Sequence, residues 1–256
     1  MNEIEARIEK AIVLLRQAQN VVALTGAGIS TPSGIPDFRS PGSGIWDQVD
    51  PMEVASIYGF RRRPQAFYEW MRPLTGLLAQ AQPNPAHIAL AQLEEYGPLQ
   101  SIITQNIDML HTRAGSKVIH EVHGHMRRAT CIQCNKNFDG QPFWDAFMAT
   151  YEIPTCPACS GILKPDVVLF GEMLPFFVMN AAQKAAETCD LMLVVGSSLE
   201  VTPVADLPML TRRTGARLII VNFTETYADP FADVVIQANV AEVLPRLAAP
   251  FLPGTG

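Results

Sequence analysis

Four cysteines carry the plainest chemistry in the chain. Cys131-Ile132-Gln133-Cys134 and Cys156-Pro157-Ala158-Cys159 form two C-x-x-C knuckles separated by 21 residues. Two residues between cysteines let both thiolates reach one metal, and two such knuckles complete a tetrahedron around zinc. The separation is one residue beyond the usual zinc-ribbon range, a trivial departure for a loop. All four positions are filled by protein, so the zinc is expected to be structural, with no open site for Lewis-acid chemistry. A redox pair and chance spacing are the competing readings. Cys189, the fifth cysteine, precedes an apolar run and is expected to pack rather than react.

Three polar constellations could hold or transform a ligand. Gly26-Ala27-Gly28 follows an apolar run, Val21-Val22-Ala23-Leu24, and invites a dinucleotide-binding reading. A dehydrogenase fingerprint needs a third glycine where Thr31 stands, and no second strand ends in an acid about 20 residues on. The turn alone supports only phosphate binding. Beyond it, Asp37, Phe38 and Arg39 put an acid, a ring and a phosphate-seeking guanidinium in one loop. The second constellation, Thr104-Gln105-Asn106-Ile107-Asp108, ends another apolar run. Ligands of doubly wound sheets bind at such strand ends, and three buried polar side chains there call for a polar ligand. The third is Glu121-Val122-His123-Gly124-His125. Histidine titrates near working pH and suits general-base work. His87 falls in a helix, His111 follows the Gln-Asn-Asp cluster, and His120 falls inside a strand. Position favours His123 as the base, with His125 as the fallback.

These groups need a scaffold, and the hydrophobic pattern describes one. Ile4, Ile8, Ile12 and Leu15 recur at helical spacing. Continuous apolar runs at 21–24, 101–104, 191–195, 218–221 and 234–236 read as strands covered on both faces, as in a parallel sheet. Helices between them complete an α/β doubly wound fold. Residues 84–97 are the best punctuated, with Asn84 as N-cap, Pro85 opening the helix and Gly97 closing it. Residues 178–188 and 203–213 are further helices, the latter weakened by Pro208. The predicted organisation is a large domain of 1–39, 83–125 and 163–256. A helical insertion, 40–82, and a cysteine-bearing insertion, 126–162, form a smaller zinc-containing domain.

Composition narrows the function classes. The chain has 256 residues, 48% of them hydrophobic and 17% charged, with a formal net charge of −6. That is too apolar for disorder, and the acidic balance argues against a general nucleic-acid clamp. Arg61-Arg62-Arg63 reads as a solvated loop. No run of about 18 uncharged apolar residues occurs, so no membrane helix is expected. Acids in Met1–Glu5, where a signal peptide needs basic residues, point to a cytoplasmic protein.

Together the motifs resemble the sirtuin signatures. They are Gly26-Ala27-Gly28-Ile29-Ser30, Gly34-Ile35-Pro36-Asp37-Phe38-Arg39, Thr104-Gln105-Asn106-Ile107-Asp108, Val122-His123-Gly124, the cysteine pairs, Pro165–Glu172 and Val195–Leu199. The resemblance spans Val21 to about Leu247. It implies NAD-dependent deacetylation of lysine in proteins, a Rossmann-like large domain and a structural zinc. Ala27, Gly28 and Thr31 would line the cofactor phosphates and ribose, and Asp37, Phe38 and Arg39 the cofactor loop. Gln105 would bind the nicotinamide ribose, Asn106 a catalytic water, and Ile107 and Asp108 the carboxamide. Gly196, Ser197, Ser198 and Asn222 would hold phosphate and the adenosine ribose, with adenine near Val240 and Ala241. His123 would remove a ribose hydroxyl proton, yielding nicotinamide, free lysine and 2′-O-acetyl-ADP-ribose. Val168, Phe170, Gly171 and, facing them, Val201 would pair with an extended acetylated substrate. Protein ADP-ribosyl transfer and removal of longer uncharged acyl groups are the alternatives within the family. A zinc-ribbon nucleic-acid module leaves the Gln-Asn-Asp cluster unexplained, and a dehydrogenase lacks its fingerprint.

The desuccinylating branch carries a Tyr and an Arg three residues apart. Here Tyr68 fits, but Met71 holds the Arg position. Arg72 would be turned about 100° away unless the helix ended at Pro73.

Overall fold

The computed structural model describes residues 3–38, 44–47 and 49–254. The chain opens with α1 (Glu3–Gln17) and β1 (Val21–Thr25), then runs through α2 (Pro51–Val54), α3 (Ile57–Arg62) and α4 (Pro64–Gln80). Next come α5 (Pro85–Tyr96), β2 (Leu99–Thr104), α6 (Leu110–Ala114) and β3 (Ile119–Glu121). β4 (Gly124–Cys131), β5 (Asn137–Asp139), α7 (Gln141–Thr150) and β6 (Leu163–Val167) follow. The last stretch is α8 (Phe176–Thr188), β7 (Leu191–Val195), α9 (Leu207–Arg213), β8 (Arg217–Val221), β9 (Val234–Ile236) and α10 (Val240–Ala248). These elements form two compact units, one from residues up to 33, 82–122 and 176 onward, the other from 34–81 and 123–175.

The larger unit is built on a parallel sheet in the order β3-β2-β1-β7-β8-β9. Every residue of β1 and β7 is buried, as continuous apolar runs require. Alternate residues serve opposite faces. Val21, Ala23, Leu191 and Leu193 join a core with Ile8 and Leu15 of α1, Leu90 and Leu93 of α5, and Leu244 and Leu247 of α10. On the other face, Thr211 of α9 points its hydroxyl at the Met192 sulfur. The chain builds outward from β1 in both directions, so strand order reverses between β1 and β7. That switch point is where a doubly wound sheet opens a ligand crevice.

Local signals set the helices. The Asn84 side chain accepts the Ala86 N–H and His87 completes a capping box, with Pro85 in the first turn and Gly97 as C-cap. The stretch expected as helix 203–213 becomes regular α-helix only at Leu207. Pro208 sits in its first turn, where a missing N–H costs nothing, so it starts the helix rather than weakening it. No helix among the described residues is long and apolar enough to cross a membrane.

The smaller unit joins α2–α4 and α7 with an antiparallel sheet, β5-β4-β6. Here the structure differs from the expected boundaries. Residues 34–38, 123–125 and 163–175 belong to this unit, because β6 pairs with β4 through Thr130↔Lys164 and Cys131↔Leu163. Pro165 hid the strand, since proline is tolerated only at a sheet edge, and β6 is one. Arg61 and Arg62 form the last turn of α3 rather than a loop, and Arg63 pairs with Glu53 at 3.2 Å. Helix α4 runs through Pro73 to Gln80.

Two glycines of the larger unit give a paired test. Gly196 has φ +59°, and a Cβ there would lie 2.2 Å from the Ile29 nitrogen and 2.5 Å from the Gly28 carbonyl carbon. Gly215 has φ +89° with open space around it. Gly215→Ala is expected to cost about 1–2 kcal/mol of backbone strain. Gly196→Ala should cost about 3 kcal/mol or more, since only backbone can yield. Denaturant midpoints decide it, and equal losses would contradict the close approach.

Candidate active site

The larger unit places its motifs at the carboxyl ends of β1, β2 and β7. The turn after β1 lies directly on the turn after β7: the Gly28 N–H donates to the Gly196 carbonyl at 2.8 Å, and Gly26 to Val195 at 3.2 Å. A Cβ at Gly26 or Gly28 would meet Gly196 atoms at 2.9 Å. The glycines are therefore required by backbone packing before any phosphate is considered. Ala27, Gly28 and Thr31 remain half-buried, and the Thr31 hydroxyl closes the turn on the Gly28 carbonyl.

Beneath that turn lies a network the sequence did not disclose, centred on Ser30. Its hydroxyl donates to Asp108 Oδ2 at 2.6 Å and accepts from Asn106 Nδ2 at 3.1 Å. The second Asn106 amide N–H reaches the Gly26 carbonyl at 3.0 Å. Asp108 Oδ1 accepts the Leu110 N–H, and Gln105 Nε2 donates to Ser197 Oγ at 3.0 Å. Thr25 Oγ1 bonds Thr104 Oγ1 and meets His111 Nε2, both at 2.9 Å. His87 and His111 touch edge-to-face, with ring centroids 4.9 Å apart.

Gln105, Asn106 and Asp108 find protein partners, so their burial does not by itself demand a ligand. What the network does is aim them. Asn106 spends both amide hydrogens inward, leaving its half-buried Oδ1 without a partner among the described residues. Burial pushes the Asp108 carboxyl above its ordinary value, against the Ser30 and Leu110 hydrogen bonds. Burial also lowers His87 to about 4 and, aided by His87, His111 to about 3. The floor is neutral and desolvated, apart from one carboxyl. That environment suits an uncharged polar group such as a carboxamide.

The other expected residues of this unit fare unevenly. Ser197 is buried, Ser198 and Val201 are half-buried on the loop after β7. Asn222 is buried and gives its amide to Thr224 of its own loop. The Val240 side chain is in the core at 2% exposure, and the Ala241 N–H caps onto Asn239. The Val240 side chain is therefore not available to the expected adenine.

In the smaller unit His123 occupies the turn into β4, and its carbonyl accepts the Val168 N–H at 2.8 Å. Gly124 beside it has φ +76°, and a Cβ would strike the Asp166 carbonyl at 2.0 Å. Phe170 uses both backbone groups on the 55–57 segment, at 2.9 Å and 3.0 Å. Both are therefore taken within the smaller unit, as is the Val168 N–H. Phe38 stacks on Trp46 at 5.1 Å, and Trp46 on Trp70 at 5.4 Å. The Asp37 carbonyl accepts the Ile45 N–H, while Arg39 lies outside the described residues.

Comparison with known proteins decides the family, since residues 26–203 match the model of the Sir2 family. The chain belongs to the Sir2 family. The NAD-dependent protein deacylase 2 of Archaeoglobus fulgidus is 48% identical over 95% of this chain and 95% of its own length. The NAD-dependent protein deacetylase 1 of Geobacillus kaustophilus is 42% identical over 91% and 94%. A solved Sir2 histidine-to-alanine variant with a deacetylated peptide and 3′-O-acetyl ADP-ribose matches with TM-score 0.89. It is 39% identical and covers 94% of this chain and 96% of that one. A Sir2 protein bound to a myristoylated histone peptide gives 0.82 at 42% identity, covering 96% of each.

The residues present fit what a Sir2 chain holds. For NAD, the turn at 26–28 keeps side chains away from Gly196, and Asn106 Oδ1 has no partner among the described residues. For zinc, the four cysteine sulfurs lie within 4.8 Å of one another. Cys131–Cys159 at 3.5 Å and Cys134–Cys156 at 3.7 Å are close to the ~3.8 Å edge of a tetrahedron with 2.3 Å bonds. Backbone N–H groups of Cys134 and Gln133 point at the Cys131 sulfur and hold its thiol below the usual range. Zinc bound there supplies structure only.

The neutral histidine pair sets a pH dependence. An unfolded histidine takes its proton near 6.5, while His87 and His111 refuse it in the fold down to about 4 and about 3. Below about pH 6.5 the unfolded chain binds more protons, so stability falls with pH, by up to about 1.4 kcal/mol per unit for each histidine. Asp108, with a raised value, acts with the opposite sign. Denaturant midpoints should drop from about pH 7 to 5, and His111→Gln should flatten the slope. Equal midpoints at both ends would contradict the neutral pair.

Proposed function

We propose that this chain is an NAD-dependent protein-lysine deacetylase that releases nicotinamide and leaves the acetyl group on ADP-ribose. The observation that carries the reading is the polar cluster after β2 of a Sir2 sheet, with Asn106 and Asp108 locked by Ser30 and Gln105 held by Ser197. NAD, when bound, supplies a leaving group, nicotinamide, and a ribose that takes the acyl group. Asp108 and Ile107 hold the carboxamide, Asn106 Oδ1 holds a water, and Gln105 holds the ribose. His123 takes the ribose hydroxyl proton. Acetylated proteins are the substrates, pairing backbone to backbone along the Val168–Gly171 segment. A reducing, cytoplasmic setting keeps the four thiols available as ligands.

The acyl pocket reads as uncharged. Met71 is buried in α4. Tyr68 is held as the neutral phenol by burial and donates to the Leu163 carbonyl at 2.6 Å. Arg72 lies over the Tyr151 ring, 3.4 Å from its centroid. Both groups that could hold an acyl carboxylate are thus engaged elsewhere. Longer uncharged chains are the second reading, favoured by the adaptable Met71 and by the related myristoyl-peptide complex.

Two outcomes test this. His123→Ala should lower deacetylation by at least about 10²–10⁴-fold, and retention of wild-type turnover there with loss in His125→Ala would reassign the base. Acetyl-lysine peptide should exceed succinyl-lysine peptide by at least about tenfold in kcat/KM, equivalent to about 1.4 kcal/mol, and Met71→Arg should narrow the gap. Equal desuccinylation by the wild type would refute the uncharged pocket.

A further inference from the structure

Lys164 is a buried lysine, 9% exposed, that the proposed mechanism does not use. Its Nζ donates to the Pro165 carbonyl at 3.0 Å, the Val167 carbonyl at 2.7 Å and Glu172 Oε2 at 3.0 Å. All three ammonium hydrogens are thereby placed. The same Glu172 oxygen accepts the Leu169 N–H at 2.9 Å, and the Glu172 N–H returns to the Leu169 carbonyl at 3.0 Å. Residues 165–172 are thus folded around one charge pair, its lysine buried and its carboxylate half-buried. This loop includes Val168, whose N–H holds the His123 carbonyl, and Gly171, the left-handed residue at φ +86°.

Hydrophobic residues could fill such a place at no loss of stability, so a buried pair is weak support for a stabilising role. Its geometry is more informative. The ammonium satisfies carbonyls of a proline-containing edge strand, and Glu172 closes the Leu169 turn, its carboxylate accepting the Leu169 N–H and its backbone N–H donating to the Leu169 carbonyl. We propose that Lys164 and Glu172 are positioning residues: together they clamp the 168–171 backbone in the shape that binds the acylated peptide, and through Val168 they fix the turn carrying His123. The assignment rests on reading 168–171 as the peptide-binding edge, and it adds the device that sets that edge.

Single and double variants separate positioning from plain stability. Lys164→Met and Glu172→Gln each leave one partner uncompensated and should lower the melting temperature. Both should raise the KM for an acetyl-lysine peptide about tenfold, with the KM for NAD changed by less than about twofold. The Lys164→Met/Glu172→Gln double variant removes the lone charge, so its melting temperature should recover. Its peptide KM should stay raised, because the Pro165 and Val167 carbonyls still lack their donor. Hydrogen exchange at the Leu169 amide, measured on the chain without substrate, should quicken about tenfold or more in Lys164→Met and in the double variant. A peptide KM that recovers together with the melting temperature, or unchanged exchange at Leu169, would overturn the proposal. Absence of deacetylation in the wild type would count against the proposed function instead, and the exchange measurement would still decide the clamp.

Discussion

Backbone meets backbone where the turn after β1 crosses the turn after β7. Gly26 and Gly28 on one side and Gly196 on the other come so close that no Cβ fits at any of them. A hydrogen bond of 2.8 Å fixes the crossing. The rest of the larger unit's site is referred to this point. The β1–β7 register, Thr25 level with Val195, brings the two strand ends together, and the β1–β2 register sets Thr104 beside Thr25. Ser30 leaves the glycine turn at the right depth to reach Asp108 and Asn106. Ser197 leaves the opposite turn within reach of Gln105. Moving either turn outward by a methyl group would break these bonds together.

Chemically, the network trades generality for aim. Short hydroxyl and amide bonds hold the side chains in place, and two buried histidines stay neutral beside the one carboxyl, Asp108. Placing groups in advance lets binding energy go into orientation rather than into ordering the protein. Zinc has a separate task. Its four ligands come from the smaller unit's sheet and the loops beside it, and no ligand position is open for chemistry.

Much of this was legible in the sequence where the signal is local. The strands followed from uninterrupted apolar runs, α5 from Asn84, Pro85 and Gly97, and the metal centre from two knuckles of fixed spacing. Tertiary convergence was not legible. Nothing near Ser30 announces His87, His111 and Asp108, which arrive on two helices and a loop. The glycine turn was read as a phosphate cradle, although its demand for glycine comes from Gly196 far along the chain. β6 was assigned to the larger unit because nothing local in Lys164-Pro165-Asp166 announces its pairing with β4. Phe170 was read as a substrate contact by backbone pairing, but the 55–57 segment already holds that backbone.

Lysine deacetylation by this chain consumes NAD and leaves the acetyl group on its ribose. The most direct measurement incubates the wild type with NAD and an acetyl-lysine peptide and counts products by mass spectrometry. Nicotinamide, deacetylated peptide and O-acetyl-ADP-ribose in equal amounts are the predicted result. NADH formation, or deacetylated peptide with free acetate and intact NAD, would contradict the account.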